Sequence, residues 1–374
     1  MTEPHPIPAE PSPYHPGQPR ELALEFRGSA REYFRIWVVN LCLTLLTAGI
    51  FSAWAKVRKK RYFYSHITLD GTPFQYLGRP FPILKGRVIA VILFSVYYIT
   101  SHFFTSVMPY VLAAGAVLAP WVIVRSAAFN ARYSAFRNMT FRFGGKYLGA
   151  LQAIYAWGLI PALVVGTMFQ WWGNYQGAAA LFGIFALTFP WWIRRLKNFI
   201  VSGTSFGGEN GELSATGGQF FKVYLVAGLI VIGAGIITGL GVAGFTTFAS
   251  MKNSQFAFLL FVLPIYAGYV LAFAYVQAHG SNLVWNQTRL GPLRFHSTLR
   301  GSGMARLYLT NALAIIASVG LLTPWAVIRT LKYRVDHMRV LLAGDLTEFH
   351  GGDTSAVRAA GAELGEFFNV DLSL

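Results

Sequence analysis

Apolar residues fall along the chain in long runs separated by short polar and basic stretches, and eight runs approach the length of about 20 residues that a spanning helix requires. They cover residues 36–55, 88–104, 107–124, 148–169, 177–193, 223–245, 256–276 and 307–328. Between the runs the period changes. Residues 66–78 read HITLDGTPFQYLG, apolar and polar positions alternating around Asp70-Gly71, which is a strong hairpin signal. Related stretches follow at 138–145, 201–208, 286–301 and 340–351, and several finish in Phe-x-Gly or Phe-Gly-Gly, as Phe26-Arg27-Gly28 does ahead of the first run. A two-stranded hairpin is marginal alone in water, so these hairpins are expected to associate. The expected fold class is an all-α integral membrane protein, a multi-pass helical bundle with internal repeats and short cytoplasmic β-hairpins.

The first and last runs share one register. Asn40, Gly49, Trp54, Arg58, Tyr62 and His66 recur at a constant offset as Asn311, Gly320, Trp325, Arg329, Tyr333 and His337, and the basic residue before each tyrosine recurs too (Arg61, Lys332). Each run is broken near its glycine, at Thr47-Ala48-Gly49 and Ser318-Val319-Gly320.

Composition agrees with a bilayer setting. Of 374 residues 54% are hydrophobic and only 12% charged. The net charge of +16 would suit nucleic acid, but the positive residues sit in clusters directly beside apolar runs, as in cytoplasmic loops. Lys56 to Arg61, Arg125 to Lys146, Arg194 to Lys222 and Arg289 to Arg306 mark inner loops, while residues 101–110 carry no lysine or arginine. If the first and last runs both span, the cluster Arg329, Lys332, Arg334, Arg339 faces outward against the rule. The reading preferred here makes both runs re-entrant, entering and leaving on the cytoplasmic side with both termini; non-helical backbone at that depth requires burial in protein or a wet cavity. The Pro-rich residues 1–20 are expected to be a disordered tail, 21–350 the membrane domain, and 351–374 a C-terminal tail. Cys42 is the single cysteine, so no disulfide framework exists.

The motifs LTAGIFSAWAKVRKKRYFY and LDGTPFQYLG, with Pro120-Trp121-Arg125 and Pro324-Trp325-Arg329 as echoes, resemble the signature of the YjgN family of bacterial inner-membrane proteins. That family is defined as a domain of unknown function. The resemblance implies an integral inner-membrane location and brings no substrate, cofactor or catalytic residue with it.

The search for chemistry is dominated by what is missing. No apolar run carries an aspartate or glutamate, which disfavours proton- or cation-coupled transport. No nucleophile–base, Walker or zinc motif appears, so the chain reads as a non-enzyme without cofactor or metal. The histidines fit no ligand spacing. Gly235-x-x-x-Gly239 reads as helix packing. The polar positions Asn40, Thr47, Asn311 and Ser318, with Gly49 and Gly320, either line a cavity or form hydrogen bonds between helices. Arg58, Arg61, Arg329 and Lys332 are candidates for an anion or lipid-headgroup site, against the alternative that they only set topology and attract anionic lipid. The leading function is a conduit or carrier for a small or anionic solute or lipid. The alternative is a membrane scaffold gripping lipid through its basic face. Expected partners are anionic membrane lipids, and a second copy or a soluble protein at the hairpin face, with no nucleic acid.

Overall fold

The computed structural model describes residues 20–155, 175–248 and 255–343. The Pro-rich tail up to residue 19, residues 156–174 and 249–254, and everything from residue 344 lie outside the described residues.

Among the described residues, five strand–helix–helix–strand units follow one another. The first runs β1 (Arg20–Leu22), β2 (Leu24–Phe26), α1 (Ala30–Leu46), α2 (Ser52–His66) and β3 (Ile67–Leu69). The second is β4 (Thr72–Pro73), β5 (Gln75–Tyr76), α3 (Pro80–Phe103), α4 (Met108–Tyr133) and β6 (Ser134–Phe136). The third is β7 (Met139–Thr140), β8 (Arg142–Phe143), α5 (Tyr147–Ile154), α6 (Tyr175–Gly203) and β9 (Thr204–Phe206). The fourth holds β10 (Glu209–Leu213), α7 (Gly217–Phe248), α8 (Gln255–Tyr275), a π-turn at Val276–Gly280, α9 (Ser281–Asn286) and β11 (Thr288–Leu290). The fifth holds β12 (Leu293–Ser297), α10 (Gly301–Ala317), α11 (Thr323–Asp336) and β13 (Met338–Leu342).

Within each unit the strand just before the helices pairs antiparallel with the strand just after them, in one register: Glu25 opposite Thr68, Gln75 opposite Ala135, Arg142 opposite Ser205, Glu212 opposite Arg289, His296 opposite Arg339. One backbone bond repeats beneath each pair. The N–H groups of Arg27, Leu77, Gly144, Ser214 and Thr298 donate to the carbonyls of His66, Tyr133, Gly203, Gln287 and His337 at 2.9, 2.9, 2.8, 2.9 and 2.9 Å. Two-residue turns join successive units, and positive φ at Asp70-Gly71, Arg137-Asn138 and Gly207-Gly208 suits the twist of the flanking strands.

The fifth unit pairs with the first. Leu22 lies opposite Val340 just as Thr72 lies opposite Leu69 and Met139 opposite Phe136, so the strands close into a ring. Closure removes the unpaired edges that an open sheet exposes. Leu22, Leu69, Phe136, Phe206, Leu290 and Val340, drawn from every joint, form one buried cluster, so these side chains fill the interior. Full burial of a Leu or Phe side chain is worth about 1.5–3 kcal/mol. The all-α expectation is corrected here: the helices predominate, but paired strands from all five units share one core instead of standing as separate hairpins.

The aromatic–glycine punctuation has a steric cause. A β-carbon at Gly28, Gly78 or Gly145 would stand 2.3, 2.4 or 2.5 Å from the ring of Phe26, Tyr76 or Phe143, two residues earlier. Where the aromatic is replaced, by Leu213 and Ser297, the glycine gives way to Ala215 and Leu299.

Helices extend beyond the apolar runs on the strand side, because each must reach its strand. Pro80–Phe103, Thr105–Tyr133 and Gly217–Gly241 are long and apolar enough to cross a membrane, among the described residues. The runs 36–55 and 307–328 instead each divide into two helices, α1 with α2 and α10 with α11. Their outer ends meet at tips where Ala48, Gly49, Val319 and Gly320 take φ of 48, 92, 50 and 88°.

Candidate functional site

The two tips have the same construction. The Thr47 hydroxyl donates to the Leu43 carbonyl at 2.7 Å and accepts from the Phe51 N–H at 2.9 Å. Ser318 donates to Ile315 at 3.2 Å and accepts from Leu322 at 3.0 Å. Both hydroxyls therefore cap the returning helix, satisfying an N–H the first turn leaves without a helical partner. Gly49 and Gly320 donate to Thr44 and Ile315 at 2.8 Å. Nothing lies within 4 Å of a β-carbon at either glycine, so the backbone conformation alone selects glycine there. The tips are apolar outside: Leu46 is 82% and Val319 92% exposed.

Halfway down the hairpins sit the paired asparagines, and here the units differ. The Asn311 amide donates to the Ala326 carbonyl at 3.3 Å and to the Thr330 hydroxyl at 3.0 Å, across the hairpin. Arg329 donates to Asn311 Oδ1 at 3.1 Å and to the Thr310 hydroxyl at 2.6 Å, with its guanidinium 5.1 Å from the Trp325 ring. In the first unit Asn40 is equally buried, yet its Oδ1 has no partner. Arg58, the counterpart of Arg329, lies 5.5 Å from the Phe51 ring. Val39 stands where the fifth unit has Thr310, so the hydroxyl that anchors Arg329 is missing.

The remaining repeated residues hold the roots of the hairpins. Tyr62 donates to the Ser29 carbonyl at 2.9 Å, accepts from the Ser29 N–H at 2.8 Å, and stacks on Tyr33 at 5.5 Å. Burial, followed by the neighbouring Tyr62, pushes the Tyr33 hydroxyl up to about 12. Burial is also the largest cause raising Tyr62; its Ser29 bond opposes the rise and Glu32 adds to it. His66 and His337 each lie 4.2 Å from the ring of Tyr62 or Tyr333, with Nδ1 against that tyrosine's carbonyl at 2.7 and 2.8 Å. Trp54 packs around Ala53, Val57 and Phe129, edge-on to Phe81 at 5.5 Å.

Two grooves open between paired helices. That of the first unit has a volume of about 900 Å³ and is lined by Arg35, Ile36, Val39, Arg58, Arg61 and Ser65, with β5 as its floor. That of the third, about 420 Å³, is lined by Gln152, Ala153, Arg195, Asn198, Phe199 and Ser202 among others. Counted from the paired strands these are the same positions, Arg35 answering to Gln152, Arg58 to Arg195, Arg61 to Asn198 and Ser65 to Ser202. Arg61 also donates to the Gly78 carbonyl at 3.3 Å. The four expected cations thus divide. Arg58 and Arg61 face the groove of their own unit, Arg329 is bonded within the fifth, and Lys332 is exposed on α11.

Arg35 carries no motif of its own. The signal that finds it is spacing: the position nine residues past each inner strand end holds Arg35, Lys85, Gln152, Lys222 and Arg306. Nine residues before the start of each closing strand stand Arg58, Arg125, Arg195, His279 and Arg329. A nearly continuous basic belt therefore encircles the roots of the helices. Among the described residues, no group of three or more His, Cys, Asp or Glu side chains gathers to hold a metal.

A family profile described as bacterial protein of unknown function (DUF898) matches residues 21–367. The chain is 24% identical to the inner membrane protein YjgN of Salmonella typhimurium over 362 residues, covering 86% of this chain and 89% of that one. It is 25% identical to the protein of that name from Escherichia coli K12 over 367 residues, with the same coverage. No solved structure is significantly similar to it.

Proposed function

The chain belongs to the DUF898 family of bacterial proteins, and from that membership and its geometry we propose a multi-pass inner-membrane protein that eases anionic lipid across part of the bilayer. Five internal repeats build it. The inner-membrane location is supported by its relatives, which are named as inner membrane proteins. The basic belt supports a cytoplasmic placement of the strand ring and of both termini.

The observation that carries the reading is the difference in depth between the units. From Ile36 to the end of α1 is 11 residues, about 16 Å, or half of a hydrocarbon core of about 30 Å. The same holds from Leu307 to the end of α10. Beyond their basic roots, α3 and α4 run about 24–26 Å further. The first and fifth units adjoin, since Tyr33, Tyr62, Ile328 and Val335 share a cluster, so one sector of the ring reaches only to mid-bilayer. Apolar tips such as Leu46 and Val319 suit that depth. Lipid beside a half-depth sector, with cations at its root, meets a lower barrier to moving its headgroup. The apolar filling of the strand ring argues against an axial water path, and so against a solute channel.

The test is lipid exchange between leaflets in proteoliposomes carrying fluorescent phosphatidylglycerol, read by reduction of outer-leaflet label. Transfer faster than in protein-free vesicles is expected. A full-length protein that leaves the rate unchanged, or a C-terminal reporter facing outward in cells, would overturn the reading. The scaffold alternative is favoured by the apolar helices without acidic residues, and it predicts correct topology with no transfer.

A further inference from the structure

The groove of the first unit brings three guanidinium-bearing residues, Arg35 on α1 and Arg58 and Arg61 on α2, to the lining of one cavity of about 900 Å³. Ser65 adds a hydroxyl at its inner end. Its lining also includes the apolar Ile36 and Val39, and Leu46, two turns beyond Val39 on the same face of α1, is exposed. Charge at one end and an open apolar face at the other match the two halves of a phospholipid. The acidic residues nearby are engaged elsewhere. Glu32 turns to Tyr62 at 3.4 Å and His66 at 3.8 Å, and Glu25 to Arg27 at 2.8 Å.

The fifth unit is an internal comparison. It holds cations at the same three positions, Arg306, Arg329 and Lys332, but Arg329 is tied down by Thr310 and Asn311. In the first unit Val39 replaces that hydroxyl, and the Asn40 oxygen that would complete the pair is buried without a partner. Arg58 is thereby left on the groove side, against Phe51. Val39 in place of Thr310, together with Lys59 in place of Thr330, accompanies the change from an arginine spent on its own hairpin to one presented to a cavity.

We propose that this groove is a phosphate site for the headgroup of an anionic phospholipid, held by Arg35, Arg58 and Arg61 with the acyl chains along Ile36 and Val39. A guanidinium presents paired donors matched to phosphate oxygens, so three of them favour a phosphate over a carboxylate or halide. The site rests on the membrane placement proposed above, and it stands whether or not the protein moves lipid between leaflets.

The experiment uses the full-length protein purified in detergent, with bound lipid followed by native mass spectrometry. The probes are phosphatidylglycerol, phosphatidylcholine with the same acyl chains, and inorganic phosphate. Phosphatidylglycerol is expected to bind in preference to phosphatidylcholine. Each Arg→Gln change at 35, 58 or 61 is expected to weaken it about fivefold, and the triple variant by well over tenfold. Val39→Thr supplies the missing hydroxyl without removing a charge, and is expected to weaken binding severalfold with the melting temperature kept or raised. Arg306→Gln, which removes an equal charge from the fifth unit, should leave binding unchanged. Unaltered preference in the triple variant, an equal loss from Arg306→Gln, or equal binding of the two lipids overturns the proposal. Displacement by submillimolar inorganic phosphate would make the ligand a free anion and overturn the lipid assignment. Failure of leaflet transfer with these binding results intact would sink only the transfer reading.

Discussion

Arg329 donates to Asn311 Oδ1 at 3.1 Å, whereas Asn40, which holds the place of Asn311 in the adjoining unit, keeps its Oδ1 buried and unpartnered. The same residue at the same position is a satisfied joint in one hairpin and a cost in the other. Hydrogen bonds to charged groups are worth about 1.5–3 kcal/mol, and an orphaned buried polar atom costs about 1–3 kcal/mol. Asn311→Ala is therefore expected to destabilise by about 2 kcal/mol. Asn40→Leu should be neutral or stabilising, and thermal unfolding of the two purified variants measures the contrast.

Gly78 lies beneath the Tyr76 ring, with space for hydrogen but not for carbon. Gly78→Ala is expected to displace the ring and destabilise by about 1–3 kcal/mol, the usual cost of overpacking. Tyr76→Ala in the same chain should relieve part of that cost. Equal and additive losses in a double-mutant cycle would show that the two positions do not act on each other.

Val319 is a β-branched residue at φ 50°, where its β-carbon crowds the backbone. Its side chain is 92% exposed and so has little packing to lose. Val319→Gly is expected to raise stability by about 1 kcal/mol, the left-handed penalty for an L-residue. A lower melting temperature would mean that the tip side chain contributes more than the strain costs.

Tyr33 supplies a pH limit. Its hydroxyl is pushed up to about 12 from the usual 10, so the folded state prefers the protonated form more than the unfolded chain does. The sign follows: the contribution is complete below about 10 and is lost as the pH rises toward about 12. Melting temperature should therefore fall across that interval. Tyr33→Phe, which has no proton to lose, should flatten part of the fall.

Much of this architecture is legible in the sequence wherever the information is local. Alternation around Asp70-Gly71 places two strands and their turn, because the backbone preference belongs to those two residues. Gly49 and Gly320 mark the interruptions of the first and last apolar runs for a similar reason. The pairing of Leu22 with Val340 is different, since it joins segments from opposite ends of the chain and neither carries a signal naming the other. For that reason the strands read as separate hairpins on an all-α bundle. The same limit applies to the groove. Arg58 and Arg61 stand out as members of a basic cluster, whereas Arg35 follows only Arg31 and Glu32 ahead of an apolar run. It becomes a partner only when β2 and β3 align α1 against α2.

The pairing of β1 with β13 also bears on the order of synthesis. The strand that completes the ring is among the last parts of the described chain to leave the ribosome, so β1 and β12 each keep an open edge until β13 has been made. Every earlier unit can insert and close its own strand pair, but the ring cannot shut before the final one arrives. A chain cut short before Met338 would retain all of the described helices and none of the closure. Conversely, new ends opened at the Asp70-Gly71 turn, with the old ones linked, would leave every strand pair intact and change only which joint is made last.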